Sequence, residues 1–105
     1  GIAFAAASFA LIAATAAKAD VIDGEWCSAV GLRHLSIDGP GIVTPAGKKW
    51  TGVYSRHAFE YIAPPGEKEA GKTVQMRLVN EFVMLFRPEG DTDAQVWNRC
   101  GKPTV

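Results

Sequence analysis

Short segments that alternate between apolar and polar residues dominate this chain, and turn residues separate them about every ten positions. In "RHLSID", for example, Leu35 and Ile37 alternate with polar neighbours. Because successive side chains of a β-strand point to opposite faces, this pattern predicts a strand with one buried face. The turn signals include "DGPG" (38–41) and "PAGK" (45–48), which supply glycine and proline where tight turns need them. The spacing predicts an all-β domain.

The longest β-like segment is "KWTGVYSRHAFEYIAP" (49–64), which is rich in aromatic and β-branched residues. It exceeds the usual strand length of about three to ten residues. We therefore expect it to bend, or to break into two strands, near Gly52 or near Ser55 and Arg56.

The segment "TVQMRLVNEFVMLFR" fits two structures. Apolar residues alternate with polar ones from Val74 to Leu78, which indicates a strand. Other apolar residues in the same stretch are spaced four apart, which would place them on one face of a helix. Asn80 and Glu81 interrupt the apolar pattern, and many of the other residues are β-branched or aromatic. These features favour two strands in a hairpin over a helix across 73–87.

The first seventeen residues carry no charge and consist mostly of alanine. Ala17 and Ala19 flank Lys18 in the small-x-small pattern that precedes signal-peptide cleavage. We expect residues 1–19 to be a signal peptide and residues 20–105 to form a single β domain that is periplasmic or secreted. After cleavage we expect no stable membrane insertion; a retained membrane anchor is the alternative.

The two cysteines, Cys27 and Cys100, lie near opposite ends of this predicted domain. In an oxidising compartment a single pair of cysteines is expected to form a disulfide. At this separation, chain entropy gives a stabilisation of about 4 kcal/mol for such a bond. We predict a small antiparallel meander of about six or seven strands that closes into a barrel or a tight sandwich, with its ends clasped by this bond. Trp26 and Trp97 are then expected on the sheet face opposite the bridge, in the core.

Charge and motifs exclude several classes of function. Eleven Lys and Arg residues balance eleven Asp and Glu residues, so the chain lacks the excess of positive charge that is typical of nucleic-acid-binding proteins. It contains no nucleophile elbow, zinc-protease motif, phosphate-binding loop or dinucleotide fingerprint. With His34 and His57 as the only histidines, a zinc site would need carboxylates of unknown placement. We therefore predict a protein that is not an enzyme and that uses neither a cofactor nor a metal.

The stretch "SRHAFEYIAP" (55–64) is the candidate for a binding site. In a strand, His57, Phe59 and Tyr61 would share one face and Arg56 the other. A structural interpretation makes Phe59 core, places His57 and Tyr61 at the barrel rim, and leaves Arg56 exposed. The binding interpretation instead builds an apolar pocket with a few polar groups, in which an arginine receives an anion. Its candidate ligand-binding residues are Trp50, Tyr54, Arg56, His57, Tyr61 and Arg99.

The framework "GEWC…RHLSIDGPGIVTP…GVYSRHAFEY…VWNRC" spans nearly all of the predicted domain. It resembles a group of small exported proteins of Gram-negative bacteria, alphaproteobacteria in particular, to which no activity is assigned. The resemblance implies export and a terminal cysteine pair, and it brings no catalytic residues.

Three functions remain open at this point. The first is a binding domain for a small anionic or amphipathic molecule. The second is an inhibitor or adaptor that docks on a protein through an exposed edge strand or through the charged loop at 64–72. The third is a structural protein of the envelope. A hollow barrel would favour the first, and a solid core with an apolar outer patch would favour the second.

Overall fold

A computed structural model describes residues 21–30 and 32–101 of the chain. Nine strands make up the regular structure of this part, and it contains no helix. They are β1 (Gly24–Ser28), β2 (His34–Asp38), β3 (Gly41–Val43), β4 (Lys49–Thr51), β5 (Val53–Ser55), β6 (Ala58–Ile62), β7 (Thr73–Asn80), β8 (Val83–Pro88) and β9 (Gln95–Arg99). The predicted signal peptide at 1–19 lies outside the described residues.

The strands form one antiparallel sheet in the order β4-β3-β2-β1-β9-β8-β7-β6-β5. Every strand pairs with its neighbour in sequence except at one place, since β4 and β5 are the two edges of the sheet although they are consecutive in the chain. The first strand, β1, pairs with the last, β9. The sheet therefore curls into a nearly closed barrel, as we predicted from the sequence.

The prediction of six or seven strands was too low, because the segment 49–64 divides twice. It breaks at Gly52, between β4 and β5, and again at a turn formed by Arg56 and His57, between β5 and β6. Gly52 lies so close to β6 that an added Cβ would sit 2.3 Å from the carbonyl oxygen of Glu60 and 2.6 Å from the Phe59 ring. Only glycine permits this approach, and the chain changes pairing partner there.

The ambiguous segment is a β-hairpin, as predicted. In it β7 pairs with β8 from Val74 opposite Pro88 to Asn80 opposite Val83, with a register shift between Leu78 and Asn80. The turn falls at Glu81 and Phe82, next to the polar interruption in the sequence.

The inward-facing side chains fill the barrel. Trp26 and Trp97 are fully buried, and the rings of Trp97 and Phe86 stack with centroids 4.7 Å apart. The buried apolar set is Ile22, Trp26, Leu35, Ile37, Ile42, Phe59, Tyr61, Ala63, Val74, Met76, Met84, Phe86 and Trp97, each at most 3% exposed. The predicted core positions of Phe59 and of the two tryptophans are confirmed.

Cys27 and Cys100 form the predicted disulfide, with their Cα atoms 5.2 Å apart. The bond joins β1 to the residue that follows β9, and the N–H of Cys100 also donates to the carbonyl of Glu25 at 2.9 Å. The two ends of the meander are thus fastened by a strand pairing and by a covalent bond.

Candidate functional site

An opening in the barrel wall lies between the edge strand β4 and the end of β6 that extends beyond its pairing with β5. The N–H of Gly52 donates to the carbonyl of Pro40 at 2.9 Å, so the backbone groups of Gly52 face β3. Because these groups alternate sides along a strand, the N–H and C=O groups of Lys49 and Thr51 point away from β3, toward β6. In the part of the chain that the structure describes, no sheet pairing joins β4 to β6.

The facing edge belongs to the end of β6. The N–H of Ala63 donates to the carbonyl of Lys72 at 2.9 Å, on the β7 side, so the backbone groups of Ile62 point the other way, toward β4. The carbonyl of Ile62 accepts a hydrogen bond from Nε1 of Trp50 at 2.9 Å. One side chain thus spans a gap that a strand ladder would otherwise close.

We call this gap the seam, formed by residues 49–53 on one side and 60–65 on the other. It is a surface cleft of about 520 Å³. Gly52 closes one end, and at the other Nζ of Lys48 donates to the carbonyl of Pro65 at 3.2 Å. Three apolar side chains at the seam are substantially exposed: Trp50 at 40%, Val53 at 72% and Ile62 at 61%. The seam therefore combines unpaired strand backbone with exposed apolar surface.

The six candidate ligand-binding residues do not form one pocket. Trp50 and Tyr61 both line the seam. Arg56 and His57 are exposed in the turn between β5 and β6, so His57 does not share a strand face with Phe59. The exposure of Arg56 agrees with the structural interpretation. On β6, the Glu60 carboxylate accepts a hydrogen bond from Gln75 at 3.3 Å.

Tyr54 and Arg99 hold the start of the described chain in place. The hydroxyl of Tyr54 donates to the carboxylate of Asp23. The guanidinium group of Arg99 lies 4.1 Å from the centre of the Trp26 ring and donates to the carbonyls of Val21, Asp23 and Glu81. Burial lowers the pKa of Arg99 from its ordinary value, because desolvation outweighs the nearby acidic groups. With its donors engaged in this way, Arg99 has a structural role at this end of the barrel.

A buried polar cluster lies at the other end of the barrel, beneath the charged loop at 64–72. Glu69 is 3% exposed and forms a bidentate pair with Arg33, with N–O distances of 2.7 and 2.8 Å. Glu67 is 7% exposed and accepts a hydrogen bond from Oγ1 of Thr44 at 2.6 Å. Both carboxylates point inward and hold the loop against the barrel. Nothing in the charge pattern "GEKEAGK" distinguishes these two glutamates from solvent-facing ones.

Tyr61 points into the same region. Its side chain is buried, and its hydroxyl has no hydrogen-bond partner among the described residues. Desolvation raises the pKa of this hydroxyl well above its ordinary value, and the negative charges of Glu69 and Glu67 raise it further. Tyr61 therefore stays protonated in the folded protein throughout the neutral range.

Within residues 21–30 and 32–101, no three His, Cys, Asp or Glu side chains are grouped so that they could hold a metal ion. The same residues include no helix of the length and hydropathy needed to cross a membrane. Comparison of the chain with protein-family models, with curated proteins and with solved structures finds no match.

Proposed function

We propose that this protein is an exported, non-enzymatic binding domain that takes up an extended segment of a partner protein at the seam. The observation that carries the proposal is that no sheet pairing joins two facing strand edges. The backbone groups of Lys49 and Thr51 point outward, opposite Ile62, whose carbonyl is bonded to the Trp50 side chain rather than to a strand. An extended peptide added to such an edge gains main-chain hydrogen bonds, and the side chains beside the edge select its sequence.

The filled barrel interior supports this proposal over a ligand held inside the barrel. Its largest fully buried side chains are Trp26, Trp97, Phe59 and Phe86, which occupy the space that a hollow barrel would offer a small molecule. The seam, by contrast, places Val53 and Ile62 on the surface beside open backbone groups. Exposed apolar surface of this kind marks interaction sites on proteins.

Export is part of the same proposal. The disulfide between Cys27 and Cys100 is compatible with a periplasmic or extracellular location, where such bonds persist. The resemblance to small exported proteins of Gram-negative bacteria and the expected signal peptide at 1–19 also support it. The partner is then an envelope or extracellular protein with an accessible extended segment.

A selection with a displayed library of eight-residue peptides tests the proposal. The selected peptides are expected to slow hydrogen exchange at the amides of Lys49 and Thr51, which face the seam. The decisive variant is Thr51→Pro, because it removes an outward N–H without removing a bond to β3. We expect Thr51→Pro to fold and to lose peptide binding.

Lys72→Gln is the control, because Lys72 is exposed and lies outside the seam. It should bind the selected peptides as the parent protein does. Selected peptides that protect no amide of the seam, or that bind the folded Thr51→Pro variant undiminished, would contradict the proposal.

A further inference from the structure

A second cleft lies on the outer surface of the barrel, across β5 to β8. Its volume is about 550 Å³, and its lining includes Ala58, Gln75, Arg77, Leu85, Arg87 and Ala94. We call it the arginine cleft. Neither Arg77 nor Arg87 lines the seam, so the two sites are separable by mutation.

Strand register places a polar row across one part of this cleft. Glu60 is paired with Gln75 across β6 and β7, and Gln75 with Arg87 across β7 and β8. Nη2 of Arg87 donates to Oε1 of Gln75 at 3.0 Å, and Nε2 of Gln75 donates to Oε1 of Glu60 at 3.3 Å. The amide of Gln75 thus directs the guanidinium group of Arg87 along the sheet surface and separates it from the carboxylate of Glu60.

Arg77 lies in the neighbouring row, opposite Leu85. Its side chain is exposed, and its guanidinium group has no hydrogen bond or ion pair with any described residue. Arg77 and Arg87 are diagonal neighbours on one face of adjacent strands, a relation that brings Cα atoms to about 7–8 Å and lets long side chains reach a common point. Arginine presents several N–H groups in a fork that matches the oxygens of an oxyanion.

Apolar surface adjoins the two guanidinium groups. Ala58 and Leu85 are half-buried and flank Arg77 in the same row, and the half-buried Ala94 lies at the β9 side of the cleft. A ligand held here would place a negatively charged head between the arginines and an apolar body over Leu85. Small-ligand sites commonly combine apolar lining with a few convergent polar groups in this way.

We propose that the arginine cleft binds an amphipathic oxyanion, a molecule with a carboxylate or phosphate head and a short apolar body. Arg77 is the principal anion receptor, and Arg87, oriented by Gln75, is the second. This site replaces the anion receptors expected from sequence, since the donors of Arg99 are engaged with backbone carbonyls and Arg56 lies outside the cleft. The inference does not rest on the proposed peptide-binding function.

Titration of the oxidised protein with octanoate and with octyl phosphate, followed by NMR, tests this site. We expect the amide signals of Ala58 and Leu85 to shift in a saturable way with at least one of the two ligands, and the tighter binder identifies the preferred head group. Octanol, which lacks the charge, and acetate, which lacks the chain, should bind much more weakly. Raising the salt concentration should weaken binding, because the site is exposed.

Arg77→Gln should weaken binding about tenfold or more, since it removes the receptor that has no other partner. Arg56→Gln is the matched control, because it removes the same charge from an exposed position outside the cleft. Gln75→Leu is expected to weaken binding less than Arg77→Gln, because it frees the Arg87 side chain without removing its charge.

Equal binding of octanol and octanoate would overturn the proposal. Binding lost in folded Arg56→Gln but kept in Arg77→Gln would also overturn it, as would no saturable shift with either charged ligand.

Discussion

Arg33 and Glu69 form a bidentate ion pair across the mouth of the barrel, with N–O distances of 2.7 and 2.8 Å. The Glu69 side chain is only 4% exposed, whereas that of Arg33 is 19% exposed and lies within 6 Å of the Phe86 and Trp97 ring centres. The pair therefore joins the loop at 64–72 to the aromatic core. Together with the hydrogen bond from Thr44 to Glu67, it holds this loop over the barrel end.

Removing one partner of this pair should destabilise the protein. Arg33→Leu leaves the Glu69 carboxylate buried and unpaired, for which we expect a loss of about 3 kcal/mol in the free energy of unfolding. Urea unfolding measures this loss. The double variant Arg33→Leu/Glu69→Leu should recover much of the lost stability, because no buried charge remains. The control is Lys68→Ala, a change at an exposed position in the same loop, which should leave the free energy of unfolding nearly unchanged. An Arg33→Leu variant as stable as Lys68→Ala would show that the pair does not hold the loop.

The local features of this fold were predictable from the sequence. Alternation around Leu35 and Ile37 and the polar break at Asn80 each depend on a few neighbouring residues, and both gave the correct strands. The disulfide was predictable because the chain has only two cysteines. These inferences need no knowledge of which strand lies beside which.

The features missed by sequence reasoning depend on distant partners or on the exact register of paired strands. Glu69 is buried because Arg33, 36 positions away, meets it, and nothing in the loop itself records that contact. The seam exists because the chain changes pairing partner at Gly52, which only the closed topology determines. Arg77 and Arg87 become neighbours only through the register of their hairpin.

Gly52→Ala should test the close approach at the seam. The added Cβ would lie 2.3 Å from the Glu60 carbonyl oxygen, which is backbone and cannot move aside without disturbing β6. We expect a loss of about 1–3 kcal/mol in unfolding free energy. Gly41→Ala is the control: its Cβ would meet its nearest atom at 3.4 Å, and it should cost much less. Equal effects of the two variants would mean that the approach at Gly52 is not a constraint.

The disulfide should contribute a large share of the stability. Closing a loop whose ends are 73 positions apart is worth at most about 4 kcal/mol by chain entropy. Cys27→Ser/Cys100→Ser should therefore unfold at a clearly lower urea concentration, while the β1–β9 pairing preserves the far-ultraviolet spectrum of the folded state. A double variant with an unchanged midpoint would remove the energetic role of the bond.

Hydrogen exchange should report the directions of the backbone groups along β4. The Trp50 amide lies opposite Ile42 on the β3 side, whereas those of Lys49 and Thr51 face the seam. We expect slower exchange at Trp50 than at either neighbour in the protein without ligand. Uniform protection across the three residues would indicate that the seam is closed in solution.

Removing the hydroxyl group should have different effects on protein stability at the chain's two tyrosines, Tyr54 and Tyr61. Tyr61→Phe removes a buried hydroxyl that has no partner among the described residues, so stability at pH 7 should stay constant or rise by about 1 kcal/mol. Tyr54→Phe removes a hydrogen bond to Asp23 and should lose about 1 kcal/mol of unfolding free energy.

The buried hydroxyl of Tyr61 should also make stability depend on alkaline pH. Burial raises the folded-state pKa of Tyr61, so the stability that depends on its protonated form is complete below its unfolded pKa near 10 and is lost as pH rises above that value. Urea unfolding at pH 7 and above pH 10 should show a smaller alkaline loss for Tyr61→Phe than for the parent. A marked loss for Tyr61→Phe at pH 7 would mean that the hydroxyl has a partner.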